Sequence, residues 1–369
     1  MRDEAGTARG KRAGSRPYFR YDHHFRKVGS SLIKFILRRI LWTLPVLLVI
    51  LLVVFLLMHS IPGSPFDSGG GQRALANSSM DTITRDTLIR RFGLDQPLWK
   101  QFTVYVIGST LPDGRFECGL ICGKMGPSYR QRGRMVQDVL FAAPKGQTFF
   151  QSRFGYTIRL SLYAFSAALL VGMPLGILAA VEHHTWLDMA IKTFATLLIS
   201  MPSFVIGLVI IIVLGGELHL ITIAPTNWQT MDPKVWFAPI TILSLGTMAA
   251  FIRLTRTSLL EVMRRDYVRT ARAKGARQRR VVGLHILKNA LIPLITFSGP
   301  ALMELFAGSF VIEVMFGYPG MGREFVQSVV RLDYSMIMAV AVVYAVLIVG
   351  VNILVDVLYG TVDPRIRTA

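Results

Sequence analysis

An all-α integral membrane protein with six transmembrane helices is the fold class this sequence predicts, and three observations predict it. The 369-residue chain is 52% hydrophobic, with a mean hydropathy of +0.47. Its apolar residues fall in six blocks, and about 20 apolar residues of helix cross a bilayer core of about 30 Å. Its basic residues flank those blocks. Eleven Lys and Arg lie in residues 1–39 and eleven more in Arg253–Lys288, together 22 of 41. The positive-inside rule places both segments on the cytoplasmic side, so the net charge of +19 points to membrane topology and a lipid surface, not to nucleic acid.

The first block, Ile40–Met58, carries no charge. Its helix is set at 35–58, behind a basic tail over 1–34 whose few apolar residues predict disorder. The block is too long for the core of a signal peptide and no small-residue cleavage site follows, so it is predicted to remain as an anchor. Ile61-Pro62-Gly63-Ser64-Pro65 stops the helix and opens a long external loop over 59–157. There Gly69-Gly70-Gly71 reads as a joint and Thr84–Phe92 as a short helix ending at Gly93. The stretch 112–150, rich in glycine and basic residues without a period, reads as irregular structure. Cys118 and Cys122 lie in it. Two cysteines cannot build a closed zinc site, which leaves free thiols or a local disulfide.

A five-helix core follows over 158–359. Its first span, Leu160–Val181, has Gly172 and Gly176 four residues apart, which lets another helix approach closely, and Pro174 as a kink. A cytoplasmic loop over 182–193 holds His183 and His184, read as facing lipid headgroups. Span three, Thr196–Leu214, starts at a kink in Ser200-Met201-Pro202-Ser203. Span four, Ala238–Ile252, is short; spans five and six are Leu291–Val311 and Met336–Tyr359. Loops 215–237 and 312–335 fall outside, and the tail 360–369 falls inside with the amino terminus.

The loop 253–290 is the most informative segment. Met263, Tyr267, Thr270 and Ala271 fall at i, i+4, i+7 and i+8, the stripe of an amphipathic helix, with Arg264, Arg265, Arg269 and Arg272 on other faces. Gly275 breaks the pattern, and Val281, Val282, Leu284, Ile286 and Ala290 resume it. The residues alone leave two readings open for this helix–glycine–helix element: a dock for a soluble partner, or a surface for anionic lipid headgroups.

Asp266-Tyr267-Val268-Arg269-Thr270-Ala271-Arg272-Ala273-Lys274-Gly275, followed by His285-Ile286-Leu287-Lys288-Asn289-Ala290-Leu291-Ile292-Pro293, resembles the permease subunits of ABC importers for oligopeptides, dipeptides and nickel, in particular the B-type member of the permease pair. Supporting stretches stand in order: Arg38-Arg39, Pro62-Gly63-Ser64-Pro65, Phe92-Gly93-Leu94-Asp95-Gln96-Pro97-Leu98, Pro319-Gly320-Met321-Gly322, Asp333-Tyr334, Asn352, Asp356 and Tyr359, and Asp363-Pro364-Arg365. The resemblance covers nearly the whole chain after residue 30. It implies a type I ABC importer permease fold in a bacterial or archaeal plasma membrane. It also implies the partners: a second homologous permease subunit, two ATP-binding cassette ATPase subunits holding ATP and Mg, an extracytoplasmic substrate-binding protein, and membrane lipid. Tyr267, Arg269, Thr270, Ala271, Arg272, Ala273, Lys274 and Gly275 would then form the coupling element that docks on an ATPase. The family's Glu-Ala-Ala reads Arg269-Thr270-Ala271 here, and its Ile-x-Leu-Pro is altered, with His285 at the Ile position and the proline at Pro293. Residues 112–150 look longer than in a typical member, and Cys118 and Cys122 are outside the family pattern.

No phosphate cradle of the form G-x-x-x-x-G-K-[ST] occurs, so no cofactor is expected on this chain and catalysis is assigned to the partners. Gly317-Tyr318-Pro319-Gly320-Met321-Gly322 has the outline of a dinucleotide fingerprint but follows a membrane span, and reads as an external turn. Ionisable residues within the membrane are functional candidates by default. Glu304 is read either as lining the translocation path or as a packing residue. Asp356 is given a structural partner such as Arg253. Glu313, near the outer end of span five, is read either as a cap or, with Pro319, Gly320 and Gly322, as a candidate external gate or binding-protein contact. The alternative function is a stand-alone secondary transporter or channel, a class that shows inverted repeats and midplane ion sites; the chain shows no repeat. A lipid-bound scaffold ranks last.

Overall fold

The computed structural model describes residues 22–60, 93–110, 114–131, 133–223, 225, 227–230, 232–275, 277 and 280–362. The expectations for Gly69-Gly70-Gly71, Thr84–Phe92, the first 21 residues and Asp363-Pro364-Arg365 lie outside these residues, and His285, Asp356 and Tyr359 are described in backbone only.

Helix α1, Asp22–Ser60, carries the first span over Leu41–Ser60. Most of its apolar side chains, Trp42, Val49 and Leu57 among them, face outward, as lipid permits. Leu51 and Phe55 are the exceptions and pack on Met338. An outer region follows: α2 (Leu98–Val106), the antiparallel strands β1 (Gly108–Thr110) and β2 (Phe116–Cys118), and α3 (Val136–Phe141). Most of the described residues of 112–150 are irregular, as expected, yet the stretch is packed and carries β2 and α3. Met125, Val136, Val139 and Leu140 form a core with Met321, Met336, Ala339 and Val340, and Cys118 is bonded to Cys122. That core is assembled from residues far apart in sequence, so no local period announces it.

The membrane core has five further passes. Helix α4 (Arg153–Val181) runs unbroken through Pro174. The third span differs most from expectation. It is a pair, α5 (Trp186–Ser200) and α6 (Ser203–Ile210, continuing with π geometry to Glu217), bent by 98°. Pro202 lacks an amide proton and drives the preceding residue out of the helical region; Met201 is extended at φ −102°, ψ 127°. The sequence located the break but not its angle, nor the helix before it. Helix α7 (Pro233–Met263) extends eleven residues past the expected end of span four. The short α8 (Asp266–Ala273) follows, then α9 (Leu287–Met315) behind a π-helical turn, α10 (Met321–Arg331), and α11 (Tyr334–Val362).

Helix α7 is the most buried span, and α4 lies along it because glycines admit the contact. A Cβ on Gly172 would stand 2.7 Å from the Met248 carbonyl oxygen, and one on Gly176 would stand 2.6 Å from Thr255 Cβ. The small residues expected to permit close packing thus have α7 as their partner.

Candidate functional site

The loop after α7 builds its exposed face from one anchor. Val268 is fully buried among Ala180, Leu259, Val281, Ile286 and Ala290, with Ala271 half-buried beside it. The expected stripe is therefore corrected. Met263 ends α7, Tyr267 and Thr270 are exposed, and Val268 with Ala271 forms the inward face. The stripe failed because Arg264 and Arg265 separate two helices that the period had joined. Tyr267, Arg269, Thr270, Arg272, Ala273, Lys274 and Gly275 face outward. Asp266 in the first turn and Arg272 in the last complement the helix dipole. Gly275 donates its N–H to the Arg272 carbonyl at 2.9 Å and has φ +78°, a left-handed value open to glycine. Asn289 Nδ2 donates to the Tyr267 hydroxyl at 2.8 Å, tying α8 to α9. A groove between them is lined by Ser258, Glu261, Val262, Tyr267, Asn289 and Pro293.

At the same end of the molecule, Asp188 is 1% exposed and accepts from Arg256 Nε at 2.7 Å and Nη2 at 2.9 Å. The His184 N–H donates to it at 3.1 Å, and His183 Nδ1 lies 3.3 Å from it. Of the histidine pair expected to face headgroups, His183 turns its ring into this cluster, while His184 lends only its N–H and keeps its side chain exposed; the cluster pins the start of α5 to α7. Arg256, placed by sequence in a loop, is a helical residue buried against an acid that lay 68 positions away.

Glu304 lies on an exposed face of α9 with Pro293, Thr296, Pro300 and Ala307, so this chain alone leaves it uncovered. Glu313 is the opposite case and takes the capping reading. It is fully buried. Its carboxylate accepts from Thr157 Oγ1 at 2.7 Å, Ser309 Oγ at 3.1 Å and the Arg323 N–H at 2.9 Å. Gly320 and Gly322 are buried against it, since a Cβ on either would fall within 3.0 Å of its side chain; Pro319 is half-buried. A carboxylate at the start of a helix satisfies its free N–H groups and dipole, so Glu313 holds the turn into α10.

The outer region is clamped to α10 and α11. Asp333 accepts from Ser128 Oγ and from the N–H groups of Tyr129 and Arg130, while its own carbonyl receives Ile337 in the first turn of α11. Arg153 pairs with Glu324, which also receives Gln131. Burial pushes the Tyr129 phenol up to about 12, so it acts here as a neutral group.

Sequence reasoning passed over one further group. Arg159 lies one residue before the expected start of span two and inside α4. Its Cζ stands 4.7 Å from the Tyr156 ring and 5.0 Å from the Trp236 ring.

Residues 172–368 match the family described as the binding-protein-dependent transport system inner membrane component, and residues 32–147 match its amino-terminal family. The oligopeptide transport system permease protein OppB of Haemophilus influenzae is 32% identical over 336 residues, covering 91% of this chain and all of that protein. The dipeptide transport system permease protein DppB of Bacillus subtilis is 34% identical over 321 residues, 87% of this chain and 94% of that protein.

Proposed function

This chain belongs to the binding-protein-dependent transport system inner membrane components, and on that premise we propose that it is the B-type permease of an importer for oligopeptides or dipeptides, driven through α8. As a member it is a non-catalytic, multi-pass permease subunit that works with a binding protein and ATPases. In the finer reading, two ATPases hold ATP and Mg on the cytoplasmic side, where both termini also lie. A second permease completes the path along the uncovered face of α9 that carries Glu304. The binding protein delivers peptide at the opposite face, and ATPase closure swings the pair from inward-facing to outward-facing.

The observation that carries the reading is the division of α8. Val268 is sealed against three spans with Ala271 beside it, and the other residues of the resembled coupling element are turned outward. A lipid-facing helix would turn its apolar residues outward instead. The test is Gly275→Pro in the assembled transporter. Proline fixes φ near −65°, against the observed +78°. The expected result is lost ATP-driven peptide uptake with the chain still in the membrane; uptake at the normal rate would overturn the proposal.

A further inference from the structure

We infer that Arg159 is the anion-binding residue of a carboxylate site at the outer end of the translocation path, and this rests on the peptide reading above. The guanidinium lies against two aromatic faces, Tyr156 and Trp236. Around it Trp236 meets Tyr318 edge-on at 5.4 Å and Tyr163 at 5.8 Å, and Trp228 meets Tyr318 at 4.6 Å. Nε and Nη2 are buried and have no hydrogen-bond partner among the described residues. Burial of a cation in an apolar setting is costly unless it is paired, and ring faces offset only part of that cost. Among the described residues, Glu313 is committed to Thr157, Ser309 and the Arg323 N–H, Glu324 to Arg153, Asp333 to Ser128, and Asp232 to the Lys234 N–H. Two donors of the guanidinium, Nε and Nη2, are thus left to offer an anion.

The position of the rings says which anion. Trp228, Trp236, Tyr156 and Tyr318 are at most 5% exposed. They are packed within the fold, whereas a headgroup belt would turn its rings to lipid. Among these rings Tyr163, at 36%, is the exposed one, and Arg159 itself is half-buried, so the cage is open on that side. A planar guanidinium fork matches a carboxylate in two-point geometry, and an aromatic collar accepts varied apolar neighbours without reading them. Such a site recognises the carboxylate shared by many small solutes, the terminal carboxylate of a peptide included, and leaves side-chain identity unread.

The experiment uses the full transporter in proteoliposomes with its binding protein. The probes are a tripeptide bearing 4-nitrophenylalanine with a free terminal carboxylate, its terminal amide, and 4-nitrobenzoate. Uptake is compared for wild type, Arg159→Gln and Arg159→Lys. The expected result is an acid-to-amide uptake ratio reduced at least tenfold by Arg159→Gln, with amide uptake unchanged and the lysine variant between. An unchanged ratio, or an equal fall for both peptides, overturns the site. So does a glutamine variant that keeps the ratio but loses a bound phospholipid, since the anion at the guanidinium would then be the lipid's. If the glutamine complex does not assemble, the lysine variant, which keeps the charge and loses the fork, carries the same comparison. Should the wild type import neither peptide, the peptide reading fails by itself. Quenching of tryptophan fluorescence by 4-nitrobenzoate then decides the site. Saturable quenching that Arg159→Gln abolishes sustains it, and equal quenching overturns it.

Discussion

Removing the Asp188 carboxylate should cost the protein about 3 kcal/mol of stability. The side chain is 1% exposed and receives a two-point contact from Arg256 at 2.7 and 2.9 Å, together with the His184 N–H at 3.1 Å. In Asp188→Ala, Arg256 keeps its charge in a site where its side chain is only 15% exposed, and the His184 amide loses its acceptor. Breaking a buried pair by deleting one partner costs about 3–5 kcal/mol. The lower end applies because Arg256 and His183, 15% and 27% exposed, retain water that screens part of the loss. The assay is SDS-titrated unfolding in detergent, followed by circular dichroism. Asp188→Leu combined with Arg256→Leu removes both charges and should return to within about 1 kcal/mol of wild type, since apolar replacement of a whole buried pair is often neutral. A loss under about 1 kcal/mol for Asp188→Ala, typical of an exposed pair, would refute the reasoning. So would a double variant whose loss equals the sum of its single variants.

Val268→Ala removes two buried methyl groups and should loosen α8 by about 2 kcal/mol, read as faster amide exchange over Asp266–Ala273 and weaker coupling of ATP hydrolysis to uptake, with the exposed face chemically unchanged. Gly320→Ala places a Cβ 2.4 Å from the Glu313 carboxyl and should lower stability by about 1–3 kcal/mol through overpacking. A melting temperature equal to wild type would show that the turn into α10 has room to give.

What was legible in the sequence was whatever a local period or composition encodes. The apolar blocks located the spans, Pro202 located the break in the third, and Gly275 marked the left-handed turn. The break angle was not legible, because proline fixes one dihedral while packing on α7 fixes the direction of α6. The face of α8 was misread because two helices separated by Arg264 and Arg265 look like one under a 3.6-residue period. Partners distant in the chain were hidden altogether: Glu313 with Thr157, 156 residues apart, and Ser128 with Asp333, 205 apart. Arg159 was findable in principle, since a basic residue next to a long apolar block belongs to its helix whenever that helix starts a turn or more earlier.

The helix pair α4–α7 joins both ends of the molecule. At the outer end Arg159 lies on Trp236, at mid-depth Gly172 and Gly176 meet Met248 and Thr255, and at the inner end Ala180 and Leu259 share the pocket of Val268. With 31 residues, α7 is about 46 Å long at a rise of about 1.5 Å per residue. Close-packed contacts at three levels leave little room for shear, so a push on α8 should move the pair as one body and reach the aromatic cage undiminished. Spin labels on the exposed Leu170 of α4 and Gly246 of α7 test this coupling. Their separation should stay constant when ATP is added to the assembled transporter, while distances from either to α11 change. In Gly176→Ala, whose Cβ would meet Thr255 Cβ at 2.6 Å, the separation should widen and the ATP-driven change at the outer end should shrink. A pair that spreads on ATP binding in the wild type would mean that α4 and α7 slide past each other, and the outer cage would then be driven by another helix.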